Sequence, residues 1–581
     1  MTAAARWILP EEPPSTAVES LAAALDLALP AARVLWRRGY RDPAAARRFL
    51  RPSLGDLHDP FLMRDMDRAA ERLARAVARR ERVLLYGDYD VDGATSVVIL
   101  RAVLERLGTP VRFHVPDRFS EGYGMRPEII ERAAAEGVRL LVSVDTGIRA
   151  TSAVARAAQL GIDVIVTDHH LPEAGLPPAY AIVNPNRPDC AYPDKNLCGA
   201  GVTFKLIQAL LLSLRHPPER AEALLASLLK LVSIATVADV VPLTGENRII
   251  VKHGLDGLRS TSNPGLRALL DVAGFSDGQR PTAGQVAFRV APRINAAGRM
   301  ASAADVVDLF LTGDESRARE LAATLHELNR ERQQQEAAIL EAILAQCETD
   351  PVTDARRALV FAGEGWHRGV LGIVAGRLAE RFHRPVFVLA IDRDAGEAQG
   401  SGRSIPGFHL LEALESMSGL FTRFGGHRQA AGVTLPPDRI GEFRRRLQDH
   451  AAARLSEGDL RPACRIDARL GFDELSDRAA AGVLSLEPFG CGNPTPVFLA
   501  ENVTVEREPQ VFKEKHARLC LRQGNRTVWM KAWNFAARLA GLAPGTAADV
   551  LFQIEEDRYS AARGYPGWSL VLKDIRLRET D

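Results

Sequence analysis

Three things are scarce in this 581-residue chain: net charge, paired cysteines and long uninterrupted apolar runs. Its 74 basic and 73 acidic residues nearly cancel, so any nucleic-acid-binding surface must be a local basic groove. The six cysteines form no CxxC pair, which predicts a reduced protein without a zinc site. Lys230 and Asp239 interrupt the most apolar stretch, and Glu11 and Glu12 precede any apolar run near the N-terminus. We therefore expect no membrane span, no signal peptide and a cytoplasmic protein.

The chain is too long for one hydrophobic core, and its length predicts three or four domains. Alternating strand and helix patterns predict α/β folding with a parallel sheet. Short alternating segments near the C-terminus predict a small β-barrel. We predict a helical segment at 1–75, an α/β block at 76–312, a connecting helix at 313–350, a second α/β block at 351–458 and the barrel at 459–581.

The connecting helix contains no glycine or proline between Asp314 and Glu348. A helix of that length spans about 50 Å at 1.5 Å per residue. Two interpretations remain open from the residues alone. The helix is either a strut between the two α/β blocks or a core helix of one of them.

Four short clusters hold the acidic residues and histidines with the clearest chemical meaning. They contain Asp88, Asp90 and Asp92; Asp145; Asp168, His169 and His170; and Asp239. The first three clusters each follow a short apolar run that predicts a buried parallel strand. Ligands of open α/β sheets bind beyond the carboxyl ends of the strands, so these side chains should converge. Such a group of carboxylates would repel strongly without cations, which predicts a metal site, with two metals favoured.

Each cluster also has a structural interpretation. Aspartates are common helix N-caps and solvated turn residues, which accounts equally well for Asp88, Asp90, Asp92 and Asp145. A calcium loop is disfavoured because the acidic spacing after Thr95 is wrong. Adjacent histidines at a strand end would face opposite sides if the strand continued, one toward metal and one toward substrate. Asp239 lies in an apolar stretch and would be destabilising there unless paired or bound to metal.

Oxygen and imidazole ligands without thiolates favour Mg²⁺ or Mn²⁺. Two such ions about 3.5–4 Å apart can activate water and stabilise the leaving oxygen during displacement at phosphorus. The residues alone therefore predict a metal-dependent phosphoester hydrolase.

At this point the chain resembles a known family. The triplet Asp168-His169-His170 is typical of the DHH phosphoesterase superfamily. Further motifs resemble those of the RecJ branch of this superfamily, whose members are single-strand-specific DNA exonucleases. The matching motifs lie at 87–93, 118–124, 143–147, 183–185, 292–299, 366–370, 401–404, 425–427 and 486–494. The resemblance implies a DHH domain, a DHHA1 domain and an OB-fold barrel in that order.

The resemblance also implies roles at the metal site. Asp90, Asp92, Asp145, His169 and Asp239 are expected to be direct ligands. Asp88 is expected to be a ligand or to support one. Asp168 should orient the imidazoles, and His170 should contact the scissile phosphate or its leaving oxygen.

The second α/β block is expected to bind substrate. Ser401 and Arg403 flank Gly402, and an arginine fork beside a glycine suits a terminal phosphate. Arg118 and Arg299 are further phosphate-binding candidates. His427 follows two glycines, and a substrate contact and a core histidine remain equal alternatives.

The OB-like barrel is expected to bind single strands by base stacking along a basic groove. Lys513, Lys515 and Trp529 are the residues we assign to that groove, although Trp529 and Trp533 also suit a core.

The implied function is a two-metal 5′→3′ exonuclease that degrades single-stranded DNA to mononucleotides in recombination and repair. One alternative is a DHH phosphodiesterase acting on short oligonucleotides or cyclic dinucleotides, which the chain length and barrel disfavour. A second alternative is a non-catalytic replication scaffold, which the full set of candidate ligands disfavours. From the resemblance we expect a monomer whose partners include single-strand-binding protein and a RecQ-type helicase.

Overall fold

The computed structural model describes residues 5–118, 120–122, 124–173, 175–276 and 278–578. It divides into two compact units. Unit 1 comprises residues 1–7, 293–302 and 320–464, and unit 2 comprises 8–292, 303–319 and 465–581. Phe119 and Tyr123 of the motif at 118–124 lie outside the described residues. The sequence-based domain boundaries stay predictions.

The N-terminal region is mainly helical, as predicted. Its elements are β1 (Arg6–Ile8), α1 (Ser15–Leu25), α2 (Leu29–Arg37), α3 (Pro43–Leu50) and α4 (Met66–Arg79). Leu21, Val34, Leu35 and Phe49 from α1 to α3 share one apolar core with the C-terminal barrel. The first helices of the chain therefore complete the core of its last domain.

The predicted parallel sheet is confirmed in unit 2. The strands and the helices between them are β2 (Val83–Tyr86), α5 (Val91–Arg106), β3 (Val111–His114), α6 (Pro127–Ala135), β4 (Leu140–Val144), α7 (Thr151–Gln159), β5 (Asp163–Thr167) and β6 (Ala181–Val183). The strand order is β3-β2-β4-β5-β6, all parallel. Every residue of β2 and β4 is buried because helices cover both faces.

A group of helices follows the sheet. They are α8 (Gly199–Ser213), α9 (Pro218–Ala238), α10 (Gly245–Gly257), α11 (Pro264–Val272), α12 (Ala283–Gln285), α13 (Ala291–Met300), α14 (Ala304–Leu311) and α15 (Glu315–Thr349). Helix α9 is long and apolar enough to cross a bilayer by length and composition, but half of its apolar window is buried in the protein, as in a core helix.

Helix α15 is the predicted connecting helix, 35 residues long without a break. It begins in unit 2 and belongs to unit 1 from Glu320 onward. Ile339 and Ile343 near its end pack in a core of unit 1 with Val374 and Leu378. The helix thus connects the two units and also contributes to the core of one.

Unit 1 contains the second α/β block. Its elements are β7 (Leu359–Glu364), α16 (Leu371–Phe382), β8 (Val386–Asp392), β9 (Glu397–Arg403), α17 (Leu410–Glu415), β10 (Arg423–Gly426), β11 (Ala430–Leu435) and α18 (Ile440–Ala452). Strand β12 (Ala463–Arg465) includes the last two residues of the unit. The sheet order is β10-β11-β9-β8-β7. Only β7 and β8 are parallel, and the other neighbours are antiparallel.

The predicted C-terminal barrel is confirmed. Its elements are β13 (Ala468–Arg469), α19 (Asp477–Leu484), β14 (Phe498–Phe512), β15 (His516–Gln523), β16 (Arg526–Ala532), α20 (Ala536–Leu539), β17 (Ala547–Glu556), α21 (Arg558–Ala561) and β18 (Trp568–Leu577). Pairing runs β14-β15-β16-β18-β17 and back to β14, which closes the barrel and removes its edges.

Candidate metal centre

The acidic clusters meet at the carboxyl end of the parallel sheet. Asp88 and Asp90 follow β2, Asp145 directly follows β4, and the triplet starting at Asp168 directly follows β5. These three strands are neighbours, and β2 lies where the strand order reverses. Asp239 joins them from the C-terminal end of α9. The position is the switch point at which open α/β sheets bind ligands.

His169 lies at the middle of the cluster. Its Nε2 atom is 3.2 Å from Asp145 Oδ1, 3.7 Å from Asp239 Oδ2 and 3.8 Å from Asp92 Oδ2. Three overlapping groups each place one ligand atom per residue within 4.8 Å of the others: Asp88, Asp90 and Asp145; Asp92, His169 and Asp239; and Asp145, His169 and His170. Such spacing suits ligands that surround a cation.

The first acidic cluster is divided between a loop and the start of a helix. Helix α5 begins at Val91, so Asp92 lies in its first turn. Asp90 caps this helix, and its Oδ1 accepts the N–H groups of Asp92 and Gly93, both at 3.0 Å. The structural interpretation of Asp90 as a cap is therefore correct, and it is compatible with a second role for its other oxygen.

Asp92 faces the start of α8. Its two carboxylate oxygens accept the N–H groups of Gly199 at 2.5 Å and Ala200 at 2.8 Å. A Cβ atom on Gly199 would lie 2.5 Å from Cβ of Asp145, so only glycine lets α8 approach this closely. Sequence reasoning missed Gly199 because its partners are distant in the chain.

The two histidines also differ from the expectation. The chain leaves β5 after Thr167, and the rings of His169 and His170 lie on one side with centroids 4.5 Å apart. Asp168 causes the turn, since its Oδ1 accepts the backbone N–H groups of both histidines at 2.8 and 3.1 Å. The prediction of opposite faces was wrong because the strand does not continue.

Asp168 also orients His170 directly. Its Oδ1 lies 2.7 Å from Nδ1 of His170, and its Oδ2 accepts the N–H of Ile148 at 3.0 Å. Two asparagines after β6 hold the same loop. Asn184 donates to the His170 carbonyl at 2.9 Å, and Asn186 donates to the His169 carbonyl at 2.6 Å. The motif at 183–185 contains Asn184, but the sequence assigned neither asparagine a role.

Burial and the crowding of negative charge raise the pKa values of several carboxylates in the cluster. Burial and then the charge of Asp90 raise the pKa of Asp88 to about 8. Burial and then the charges of Asp92 and Asp90 raise the pKa of Asp239 to about 9. The same causes raise the pKa of Asp145 well above its usual value. A bound cation would favour the charged carboxylates and so oppose both the burial and the repulsion that raise these pKa values.

The histidines and Asp168 behave differently. Burial lowers the pKa of His169. Burial also acts to lower the pKa of His170. The hydrogen bond and the charge of Asp168 outweigh burial and raise the pKa of His170 to about 9. Burial would raise the pKa of Asp168, but the hydrogen bonds from His170 and Ile148 lower it. Asp168 and His170 therefore form an ion pair beside the cluster.

Two buried carboxylate oxygens indicate whether this site suits a cation. Asp145 Oδ1 and Asp239 Oδ2 accept no hydrogen bond from any described residue. Buried polar atoms are rarely left unsatisfied, and such exceptions mark an ion or a functional group. Both atoms lie close to Nε2 of His169, so this donor set suits a divalent cation with oxygen and imidazole ligands.

Of the five predicted substrate residues, Arg118 lies in the same unit as the metal cluster. Its guanidinium carbon is 5.3 Å from the centre of the Tyr89 ring, and its positive charge lowers the pKa of Asp88, against the larger effect of burial. Arg118 thus places a cation beside the acidic cluster.

The other four predicted substrate residues lie in unit 1. Arg299 donates to the Gly369 carbonyl at 3.1 Å, just before α16. Arg403 extends along the same helix, because a Cβ on Gly372 would lie 2.9 Å from its Nη2 atom. Two guanidiniums and the first N–H groups of a helix form a favourable setting for an anion.

Ser401 and His427 are placed differently. Ser401 lies two residues before Arg403 on β9, so the two side chains share one face of the sheet. His427 is exposed in the turn between β10 and β11, where its N–H donates to the Ala430 carbonyl at 2.9 Å. The alternative of a core histidine is therefore wrong for His427.

The barrel places its predicted nucleic-acid residues on the surface. Lys513 and Lys515 are exposed in the turn between β14 and β15, next to a ring cluster of Phe512, His516 and Trp533. Trp529 is half-buried under the guanidinium of Arg518 at 5.0 Å.

The loop between β17 and β18 was missed by sequence reasoning. Tyr559 and Tyr565 are 66% and 68% exposed there, and Arg563 stacks on Tyr559 at 3.9 Å. Loops of OB-folds are common nucleic-acid contacts. The signal available in the sequence was the run of Arg and Tyr residues at 558–565.

Comparisons with known proteins agree with this architecture. Residues 82–236 match the DHH family, N-terminal domain, residues 355–453 match the DHHA1 domain, and residues 466–566 match the RecJ OB domain. The single-stranded-DNA-specific exonuclease RecJ of Bacillus subtilis (strain 168) is 37% identical over 575 residues, covering 99% of this chain and 71% of the relative.

Two solved structures are similar over almost the whole chain. RecJ of Thermus thermophilus in complex with Mn²⁺ superposes with a TM-score of 0.84 at 33% identity, covering 100% of this chain and 81% of the other. RecJ of the same organism in complex with Mg²⁺ gives 0.78 at 31% identity, covering 99% and 79%. The chain belongs to the RecJ family of single-stranded-DNA-specific exonucleases.

Proposed function

We propose that this exonuclease uses two divalent cations, Mn²⁺ or Mg²⁺, to degrade single-stranded DNA from its 5′ end to mononucleotides. The observation that supports it best is His169 Nε2 within 3.2–3.8 Å of three carboxylates, with two buried oxygens that accept no hydrogen bond from the described residues. Asp88, Asp90, Asp92, Asp145, His169 and Asp239 would hold the cations. When bound, the cations would activate water and stabilise charge on the phosphate.

The protein residues would then position the substrate and move a proton. Asp168 holds His170 through Nδ1, and His170 would donate from Nε2 to the scissile phosphate or the leaving oxygen. Asn184 and Asn186 fix the backbone of both histidines. Arg118 would bind a phosphate oxygen near Asp88.

Arg299, Ser401 and Arg403 would bind the 5′-terminal phosphate and so set the direction of degradation. A terminal phosphate carries more charge than an internal one, and an arginine fork at a helix start favours it. His427 is a further contact in this proposal. Family membership and the full set of candidate ligands argue against the short-substrate phosphodiesterase and the non-catalytic scaffold.

Cellular assignments follow from the substrate. DNA as substrate supports an intracellular, cytoplasmic enzyme of recombination and repair. A monomer that works with single-strand-binding protein and a RecQ-type helicase belongs to the same proposal.

The direct test uses internally labelled single strands with a block at either end, in Mn²⁺, in Mg²⁺ and in chelator. We expect metal-dependent loss of label as mononucleotides, prevented by a 5′ block and unaffected by a 3′ block. If a 3′ block prevented degradation instead, the enzyme would act from the 3′ end and the proposed polarity would be wrong. Turnover of dinucleotides with intact long strands would favour the short-substrate alternative.

Cation binding should also stabilise the protein. Mn²⁺ at one hundred times its Kd is expected to add about 2.7 kcal/mol to the unfolding free energy of the unit that binds it. The measurement is thermal unfolding at increasing Mn²⁺, with chelator as the reference. An unfolding temperature that does not respond to Mn²⁺ would contradict the metal assignment without any assay of DNA.

We expect the barrel to contribute to the binding of long single strands and little to the binding of short ones. Alanine in place of both Lys513 and Lys515 is expected to raise KM for long single strands by about tenfold, because phosphate contacts in the exposed turn are lost. Turnover of very short strands should change little. Equal effects on both lengths would place these lysines elsewhere in the mechanism.

A further inference from the structure

The backbone next to Asp239 is strained. Asp239 ends helix α9, and Val240 after it has a φ of +59°. A β-branched residue in the left-handed region costs about 1–2 kcal/mol, so the surrounding structure must hold it there. The side chain of Val240 is 68% exposed and cannot be the anchor. Contacts to the residues that follow must therefore fix the turn.

Those contacts come from a segment much later in the chain. The Leu243 N–H donates to the Cys491 carbonyl at 2.7 Å. A Cβ on Gly492 would lie 2.9 Å from Cβ of Pro242, and Gly492 itself has a φ of +70°. A Cβ on Gly490 would lie 2.7 Å from Leu243. Backbone of this segment thus packs directly on the turn that follows Asp239.

The segment, residues 486–494, is itself rigidly anchored. The Asn493 side chain is 1% exposed and donates to the carbonyls of Leu486 at 2.9 Å and Pro488 at 2.8 Å. The Glu487 carbonyl accepts from Arg248 at 2.8 Å. Arg248 belongs to α10 and is almost completely buried. The segment is therefore attached to helix α10 before the chain enters β14 of the barrel.

We infer that segment 486–494 is a positioning device for the metal ligand Asp239, which it holds through Pro242 and Leu243. Gly490 and Gly492 are glycines because any larger residue would displace those two contacts. The barrel and one metal ligand are consequently held by the same short segment. This inference rests on the proposed metal site and extends it to residues that are not among the candidate ligands.

The test is Mn²⁺ affinity, measured by the fall in the free Mn²⁺ electron paramagnetic resonance signal on adding intact protein. We expect Gly492→Ala to weaken Mn²⁺ binding on the order of tenfold, as loss of supporting contacts does at other metal sites. Gly541→Ala is the matched control. Gly541 has a φ of +78° with nothing within 4 Å, so alanine there adds similar backbone strain without touching the metal turn.

Asn493→Asp gives a second route if Gly492→Ala does not fold, because it removes the two donated hydrogen bonds with little change of shape. It should also weaken Mn²⁺ binding. Normal Mn²⁺ affinity in the folded variants would overturn the inference, even if nuclease activity falls. Asp239→Asn separates the two hypotheses. Unchanged Mn²⁺ binding in that variant would refute the ligand assignment itself, whereas weakened binding there and normal binding in the segment variants would refute the positioning role alone.

Discussion

Asp145→Asn is expected to lower nuclease activity by at least about a thousandfold while stabilising the metal-free protein. Loss of a ligand removes several kcal/mol of transition-state stabilisation, and each 1.36 kcal/mol is about a factor of ten. The metal-free protein gains because Asp145 is a buried carboxylate among other carboxylates, with an oxygen that accepts no hydrogen bond from the described residues. Asparagine keeps the shape and tolerates the φ of +59°. Single-turnover cleavage and thermal unfolding in chelator measure the two effects.

Asp65→Asn is the matched control. Asp65 also has a positive φ, at +62°, but its carboxylate accepts from Arg187 at 2.8 Å and from the Ile182 N–H at 3.2 Å. Removing that charge should lower stability by about 1–3 kcal/mol because it leaves a buried arginine with a weaker partner. Its activity should be retained once folded. Unchanged cleavage by Asp145→Asn would contradict the metal assignment. A lower unfolding temperature of Asp145→Asn in chelator would contradict the explanation that the buried carboxylate destabilises the metal-free protein.

The parallel sheet and the convergence of its loops could be predicted because both depend on local pattern. Apolar runs such as Val83 to Leu85 indicate strands buried on both faces, and the polar residues after them must then lie at one edge. The signal was local in sequence, and the geometry followed from the rules of α/β folding. The same reasoning could not give the turn at His169, which depends on hydrogen bonds to Asp168.

The supporting contacts were out of reach for a different reason. Gly199 reaches Asp92 across 107 residues, and Leu243 reaches Cys491 across an even longer separation. Neither periodicity nor residue type records which distant segments meet. Phe49 in the barrel core is a similar case, because an amphipathic helix shows that it packs but not against what. The residues around the candidate ligands therefore needed the structure, while the candidate ligands themselves could be named from the sequence.

Arg403→Ala is expected to lower kcat/KM for 5′-phosphorylated single strands by about a hundredfold. A charged hydrogen bond that is lost to a phosphate is worth about 1.5–3 kcal/mol, which corresponds to one to two factors of ten. On 5′-hydroxyl strands the variant should match the unaltered enzyme, because the terminal phosphate that Arg403 would bind is absent. Arg403→Lys should recover only part of the loss, since it keeps the charge without the planar fork. Initial rates on the two strands give the comparison.

Two further variants make the Arg403 result specific. Arg393→Ala removes a guanidinium that is 77% exposed and paired with Glu364 on the surface, so it should leave both rates within about twofold. Gly372→Ala keeps Arg403 but adds a methyl group where its Nη2 atom lies, and it should reproduce part of the loss on phosphorylated strands. If Arg403→Ala slows both strands equally, the residue supports the fold or the chemical step. A loss confined to the 5′-phosphate would mean that the start of α16 recognises the end of the strand, and direction of degradation would then follow from charge at one site.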